Sequence, residues 1–149
     1  MIGGAVNEDE LRRSVVTITF DGTAGKGAIG TGTVFTVTGE VLIERLVPFC
    51  TVNVGVDGGT GAASVQLGIA NATTLFVAST GAVDIDADEF WIDATPDANG
   101  IALPAALKEI LVTQDVQFEV TSTGTQKVNA GSVRFTAFWR PISADGLVA

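Results

Sequence analysis

The densest group of residues able to do chemistry is the acidic cluster Asp84-Ile85-Asp86-Ala87-Asp88-Glu89. Calcium prefers several carboxylate oxygens, so this cluster is the best candidate for a cation site. The spacing departs from that of a calcium-binding loop, because Glu89 stands where the turn needs glycine and Thr95 where a bidentate glutamate should be. On a strand, the three aspartates would instead line one solvent face. We favour that strand, with Val83, Ile85 and Ala87 on its buried face, over a metal site.

A glycine-rich segment, Gly25-Lys26-Gly27-Ala28-Ile29-Gly30, has the spacing of a dinucleotide-binding loop and follows a predicted strand. Such a loop must be followed by a helix, because the pyrophosphate binds at the helix N-terminus. The next residues, Thr31 to Val37, have the composition of a strand instead. We therefore interpret the segment as a loop without a nucleotide and predict no cofactor.

The residues available for catalysis are few. The chain has no histidine and no tyrosine, so proton transfer would depend on carboxylates and a few lysines. Paired carboxylates can hydrolyse glycosides, but the acidic residues here lie mostly beside turns or beside other acids. Cys50, the single cysteine, has no histidine to activate it and is expected to be a small buried apolar residue. We predict no catalytic, cofactor-binding or metal-binding residue, and no enzyme activity.

Three other features concern packing rather than chemistry. Trp91 and Trp139 are expected to anchor the core or an interface. Arg12 and Arg13 follow the acidic residues that end at Glu10, so the N-terminal segment has mixed charge. This segment is either a solvated lead-in or an arm that reaches onto a neighbouring chain, and both interpretations stay open.

The elements that would position these residues are strands. Apolar and polar residues alternate regularly in five segments, and four further apolar runs are less regular, which predicts about nine strands separated by turn residues. The regular segments are Val16 to Phe20, Val52 to Val56, Val65 to Ile69, Val116 to Val120 and Val133 to Trp139, and the others are Thr33 to Val37, Val41 to Val47, Thr74 to Ala78 and Glu89 to Ile92.

Closely spaced strands without alternating helices favour an antiparallel sandwich or barrel. We predict an all-β, antiparallel β-sandwich of the jelly-roll type; an immunoglobulin-like sandwich is less favoured because there is no cysteine pair around a core tryptophan. The one predicted helix is short, Pro104 to Leu111, with proline at its first position. The chain divides into an N-terminal arm, residues 1–13, and a single domain, residues 14–149.

Composition and charge exclude several classes of partner. The net charge of -9 opposes binding by phosphate neutralisation, and it equally opposes docking on anionic lipid. No apolar run reaches the roughly 18 residues of a membrane-spanning helix. The first ten residues lack the basic start and long apolar stretch of a secretory signal. We expect a soluble protein, made in a cytoplasm, with no nucleic-acid or membrane partner.

Three segments carry a resemblance to a known group of proteins: Val34 to Val41 (VFTVTGEV), Glu89 to Pro96 (EFWIDATP) and Phe135 to Gly146 (FTAFWRPISADG). Together they resemble small structural proteins of tailed bacteriophages that accompany head genes. The similarity is spread from about Gly32 to Gly146. It implies a virion component, above all a capsid decoration (cement) protein whose β-rich subunits form homotrimers on the capsid exterior and bind the major capsid protein or other virion proteins. It implies no catalytic residue.

Other functions stay open beside this one. A tail, neck or fibre component belongs to the same structural class. A carbohydrate-binding sandwich that recognises a host surface would need a concave aromatic patch, for which Trp91 and Trp139 are the available tryptophans. A sandwich hydrolase that uses carboxylates is the least favoured because histidine is missing.

Overall fold

Two four-stranded antiparallel sheets and a short two-stranded sheet form the protein. The computed structural model describes residues 10–98 and 109–149. These residues form ten strands, where the pattern predicts about nine: β1 (Arg12–Thr19), β2 (Gly30–Phe35), β3 (Val37–Thr38), β4 (Val41–Val56), β5 (Ala63–Ile69), β6 (Ala72–Gly81), β7 (Ile110–Val112), β8 (Val116–Ser122), β9 (Val128–Pro141) and β10 (Leu147–Val148). The prediction of an all-β, antiparallel chain is confirmed.

The strands pair in a nested order. The first sheet has the order β1-β9-β4-β7, the second has the order β2-β8-β5-β6, and β10 pairs with β3. If the two-residue strands β3 and β10 are set aside, the pairing runs from the outermost strands of the sequence to the innermost. Strand β1 pairs with β9, β2 with β8, β4 with β7, and β5 with β6. Successive pairs alternate between the two sheets, so every connection except β5 to β6 crosses from one sheet to the other.

The inward residues of both sheets form one apolar core. Strands β8 and β9 show why: in each, alternate residues are buried and the residues between them are more exposed. The ring of Phe118 on β8 meets that of Phe20, just after β1, edge to face with centroids 5.2 Å apart. Burial of each such large side chain stabilises the fold by about 1.5–3 kcal/mol. The alternation predicted for these strands is confirmed.

Strand β4 is longer than predicted, because two predicted strands, Val41 to Val47 and Val52 to Val56, form one strand of 16 residues. Pro48 lies within it and has no N–H to donate. Its carbonyl accepts a hydrogen bond from Trp91 N at 3.0 Å. A strand residue directs its N and O to the same side, so the missing N–H faces the segment around Trp91 rather than the ladder with β9.

Other boundaries also differ from the prediction. The predicted strand Glu89 to Ile92 is instead an irregular segment along β4, with isolated bridges from Phe90 to Phe49 and Asp97. Most of the predicted helix, residues 104–108, lies outside the described residues, and its last residues Ile110 and Leu111 belong to β7, so a helix does not extend to Leu111. Strand β1 begins at Arg12, inside the predicted arm, whose residues 1–9 also lie outside the described part.

Candidate protein-binding face

The outward side of the first sheet carries arginine and apolar side chains in rows across the strands. Side chains alternate between the two faces of a strand, so the residues between the buried ones on β1, β9 and β4 point away from the core. We call this surface the arginine face. Its rows are Arg13–Phe138–Arg45, Val15–Thr136–Val47, Thr17–Arg134–Phe49 and Arg140–Leu42–Leu111.

Positive charge is concentrated on this face. All five arginines of the chain lie on β1, β4 and β9, and four of them belong to the rows just described. The fifth, Arg12, has its guanidinium carbon 5.3 Å from the centroid of the Trp139 ring. Without the four face arginines the net charge of -9 becomes -13 for the rest of the chain. The molecule therefore has one cationic face on a strongly acidic body.

The arginines of the face differ in their neighbours. The guanidinium carbon of Arg134 lies 5.2 Å from the centroid of the Phe49 ring, a cation–π arrangement. Arg140 donates from Nε to Oε1 of Glu44 at 2.7 Å. No carboxylate of the described residues lies within ion-pair distance of Arg13, Arg45 or Arg134. Three cationic groups of the face are thus available to pair with carboxylates of another chain.

Apolar groups are exposed among these charges. Val15 keeps 50% of its surface exposed, and Leu111 keeps 56%. A recess of about 210 Å³ opens where β4 has an irregular register, and its lining is Leu11, Glu44, Arg45 and Phe138. Arginine and aromatic residues are enriched in protein interfaces, while lysine is depleted, and the rows of this face contain no lysine. The composition is therefore that of a protein-binding surface.

The acidic cluster lies beside β4 and is not a strand. Ala82–Asp84 form a 3-10 turn, and the following residues run along β4, where Ala87 N donates to Asn53 Oδ1 at 2.8 Å. Val83, predicted to be buried, is 59% exposed, because the turn changes the alternation that a strand would have. Ile85 is buried as predicted. Within the described ranges no group of three or more acidic, cysteine or histidine side chains is arranged to hold a metal ion.

The glycine-rich segment is a loop docked on β9, and β2 begins at its last glycine. Asp21 Oδ1 accepts hydrogen bonds from the hydroxyl and the backbone N–H of Thr23, and these bonds lower the pKa of Asp21. Val128 N donates to Gly27 O at 2.9 Å. Gly27 is buried with φ of 114°, and a Cβ there would lie 1.9 Å from Val128 O. Gly27 therefore allows the close packing of the loop on β9, and a strand rather than a helix follows the loop, as predicted.

Cys50 and both tryptophans are core residues. Cys50 is buried, as predicted, and burial raises the pKa of its thiol, which disfavours the reactive thiolate. Trp91 and Trp139 are 0% and 3% exposed. Trp91 Nε1 donates to Thr80 Oγ1 at 2.8 Å, and Trp139 Nε1 donates to Ser14 Oγ at 3.0 Å. Neither ring is available as a platform for a sugar.

The arginine face is the feature that the sequence reasoning missed. A signal was present, because Arg134 and Phe138 alternate with residues of β9 predicted to be buried, and Arg13 alternates likewise with Val16 on β1. Those positions already indicate outward-facing side chains. What the pattern lacked was the pairing that brings β1, β9 and β4 side by side.

No protein-family model matches this chain, and comparisons with curated proteins and with solved structures give no match. Among the residues that the structure describes, no helix has the length and hydropathy to cross a bilayer. The function is therefore inferred from the arginine face, the strand order and the resemblance of the three segments.

Proposed function

We propose that this chain is a non-enzymatic structural protein of a virion and that it acts as a capsid decoration protein on the outside of a tailed-phage head. The observation that carries the proposal is the arginine face, which offers cationic and apolar groups to another protein chain. The resemblance of the three segments to small phage structural proteins points to the virion as the place where such chains meet.

We propose further that the two sheets form a jelly-roll sandwich. A jelly roll arranges eight strands in two four-stranded sheets, and the nested pairing of this chain supports that arrangement. Jelly rolls occur in viral capsid domains and also in lectins, so the architecture agrees with either role by analogy alone. The burial of Trp91 and Trp139 removes the two tryptophans from any sugar-binding patch, which favours the virion role.

The mechanism of such a protein is mass action. A module that binds neighbouring capsid subunits in the shell, and not the free subunits, stabilises the shell by its binding free energy. At free concentrations of about 100 times the dissociation constant this amounts to about 2.7 kcal/mol per site. The body's acidic surface keeps it away from packaged nucleic acid and keeps the particle's exterior soluble.

The test is to locate the protein in purified particles. Antibodies against the chain, applied to separated heads and tails, are expected to label heads. Heads that lack the protein are expected to break at a lower temperature than complete heads, and adding back purified protein should raise that temperature to the value for complete heads. Label confined to tails would favour the tail or neck alternative, and absence from particles would contradict a virion role.

A further inference from the structure

The arginine face has a complement on the same chain. The segment Asp84 to Glu89, which we call the acidic segment, holds four carboxylates in six residues and no basic residue. Asp84, Asp86 and Asp88 are exposed, and the exposed Val83 precedes them. The segment therefore offers what the arginine face lacks, a dense set of carboxylates with an apolar residue beside it.

Electrostatics decides how two copies can meet. In a two-fold contact centred on the arginine face, the arginines of one copy would oppose those of the other, at a cost in Coulomb energy. A head-to-tail contact instead brings the arginine face of one copy against the acidic segment of the next. Opposite charges then meet, and each copy keeps one free face and one free segment. Repeating such a contact closes a ring when the rotation allows it.

The composition of the face also favours protein over nucleic acid as its occupant. A phosphate backbone would not remove the exposed side chains of Val15 and Leu111 from water. An apolar residue of a second copy, such as Val83, would bury them and so add to the binding free energy. The charge of -13 on the rest of the chain would repel a nucleic acid, whereas it supplies carboxylates when the occupant is another copy.

We propose that the arginine face of one copy binds the acidic segment of a second copy, and that this head-to-tail contact builds the homo-oligomer. The proposal deepens the proposed function, on which it rests only in taking the face as a protein-binding surface. Contact with the shell would then involve other surfaces of the ring, and the arginine face would serve the proposed function by building the oligomer that decorates the shell.

Charge-reversal variants test the contact in solution. The face variant is Arg45→Glu/Arg134→Glu, and the segment variant is Asp84→Lys/Asp86→Lys. Lys26→Glu/Lys127→Glu is the matched control, because it changes the net charge by the same amount as the face variant at two positions outside both surfaces. All six residues are exposed, so each variant is expected to fold. Circular dichroism checks this, and Arg45→Gln/Arg134→Gln serves as a milder face variant.

Light scattering at low salt measures the molar mass. We expect a multiple of 15.2 kDa for the wild type and the control, and the mass of a monomer for the face variant and the segment variant. An equimolar mixture of the two monomeric variants should associate again, because the intact face of the segment variant can bind the intact segment of the face variant. The milder variant should weaken the oligomer by roughly tenfold or more. High salt should dissociate the wild type.

Four outcomes would overturn the proposal: a monomeric wild type, a control that dissociates like the face variant, an oligomeric segment variant, and a mixture that stays monomeric. A monomeric wild type would leave a foreign protein or the acidic N-terminal residues as the occupant of the face. These results are separate from the particle test. An oligomer absent from heads contradicts only the proposed function, and a monomer present on heads contradicts only the head-to-tail contact.

Discussion

Asp57 joins the end of β4 to the start of β9 through backbone hydrogen bonds. Its Oδ1 accepts from Lys127 N and Gly59 N, both at 3.0 Å. These bonds favour the ionised form, so they lower the pKa of Asp57 from its ordinary value of 3.8. A carboxyl group whose pKa is lower in the folded state stabilises the fold above the unfolded pKa, and this contribution is lost as the pH falls through the folded value.

We therefore expect Asp57→Ala to melt at a lower temperature than the wild type at neutral pH. The difference in melting temperature between the wild type and the variant should narrow as the pH falls below 3.8, because the wild-type carboxylate then becomes protonated. Thermal melts across this range measure it, with Glu40→Ala, at an exposed carboxylate outside the acidic segment and the arginine face, as the control expected to follow the wild type. A gap that stays constant into strong acid would contradict the role of the charge.

Thr80 and Trp91 form a buried polar pair in the core. Thr80→Val removes the acceptor of the Trp91 Nε1 hydrogen bond and leaves that N–H unsatisfied. The expected loss of unfolding free energy is about 1–3 kcal/mol by chemical denaturation. Thr74→Val, at an exposed position of the same strand, is the control and should change the stability little. Equal effects of the two substitutions would show that the hydrogen bond contributes nothing specific.

At the scale of the element, alternation predicted the inside and outside positions of β9 correctly. It was wrong for Val52, which is 54% exposed where the register of β4 shifts, and it could not predict which strands are neighbours. Val133, Phe135 and the residues between them lie where a period of two places them. Which strands lie beside β9 depends on pairing between residues that are 72 (Val56 and Val128) to 127 (Arg12 and Trp139) positions apart, and local pattern carries no information on it. The pattern indicated outward positions for Arg13 and Phe138, but their juxtaposition, and with it the arginine face, was not predictable.

The acidic cluster shows the opposite case. Its alternation is correct for Asp84, Ile85 and Asp86, yet the element is a 3-10 turn followed by an irregular segment. A few residues of alternating exposure suit a strand or an irregular segment packed on one side equally well. Val83 is the residue that distinguishes the two, and its exposure appears only in the structure.

The glycine loop gives a prediction at the same scale. Gly25 and Gly27 both have positive φ, but only Gly27 has a backbone atom where a Cβ would stand. Gly25→Ala is expected to lower the unfolding free energy by about 1–2 kcal/mol, because alanine is strained at a positive φ. Gly27→Ala should lower the unfolding free energy by about 1–3 kcal/mol more, because the added Cβ would force the loop away from β9. Denaturant titration of the two variants measures the difference, and equal losses would mean that the loop does not need its contact with Val128.

At the scale of the molecule, Cys50 reports on the opening of the core. It is fully buried on β4 opposite Val133 of β9, so a thiol reagent reaches it only when the first sheet opens. We expect labelling of the native protein to be slow and to accelerate with denaturant in parallel with global unfolding. In the control, Cys50→Val/Val52→Cys, the thiol lies at an exposed position and should react at once. Native labelling as fast as that of the control would contradict a closed core.

The nested strand order has a consequence for how this chain can be made. Strand β9 is the partner of both β1 and β4, so β1 has no paired strand until residues 128–141 have been synthesised. Until then β4 has β7 as its strand partner, but the first sheet cannot assemble across its middle. Pairing between such distant segments is slow, because the loop-closure entropy is lost before the contacts form. The nascent chain is therefore exposed to aggregation until β9 has been synthesised, and any truncation before Val128 should yield insoluble protein.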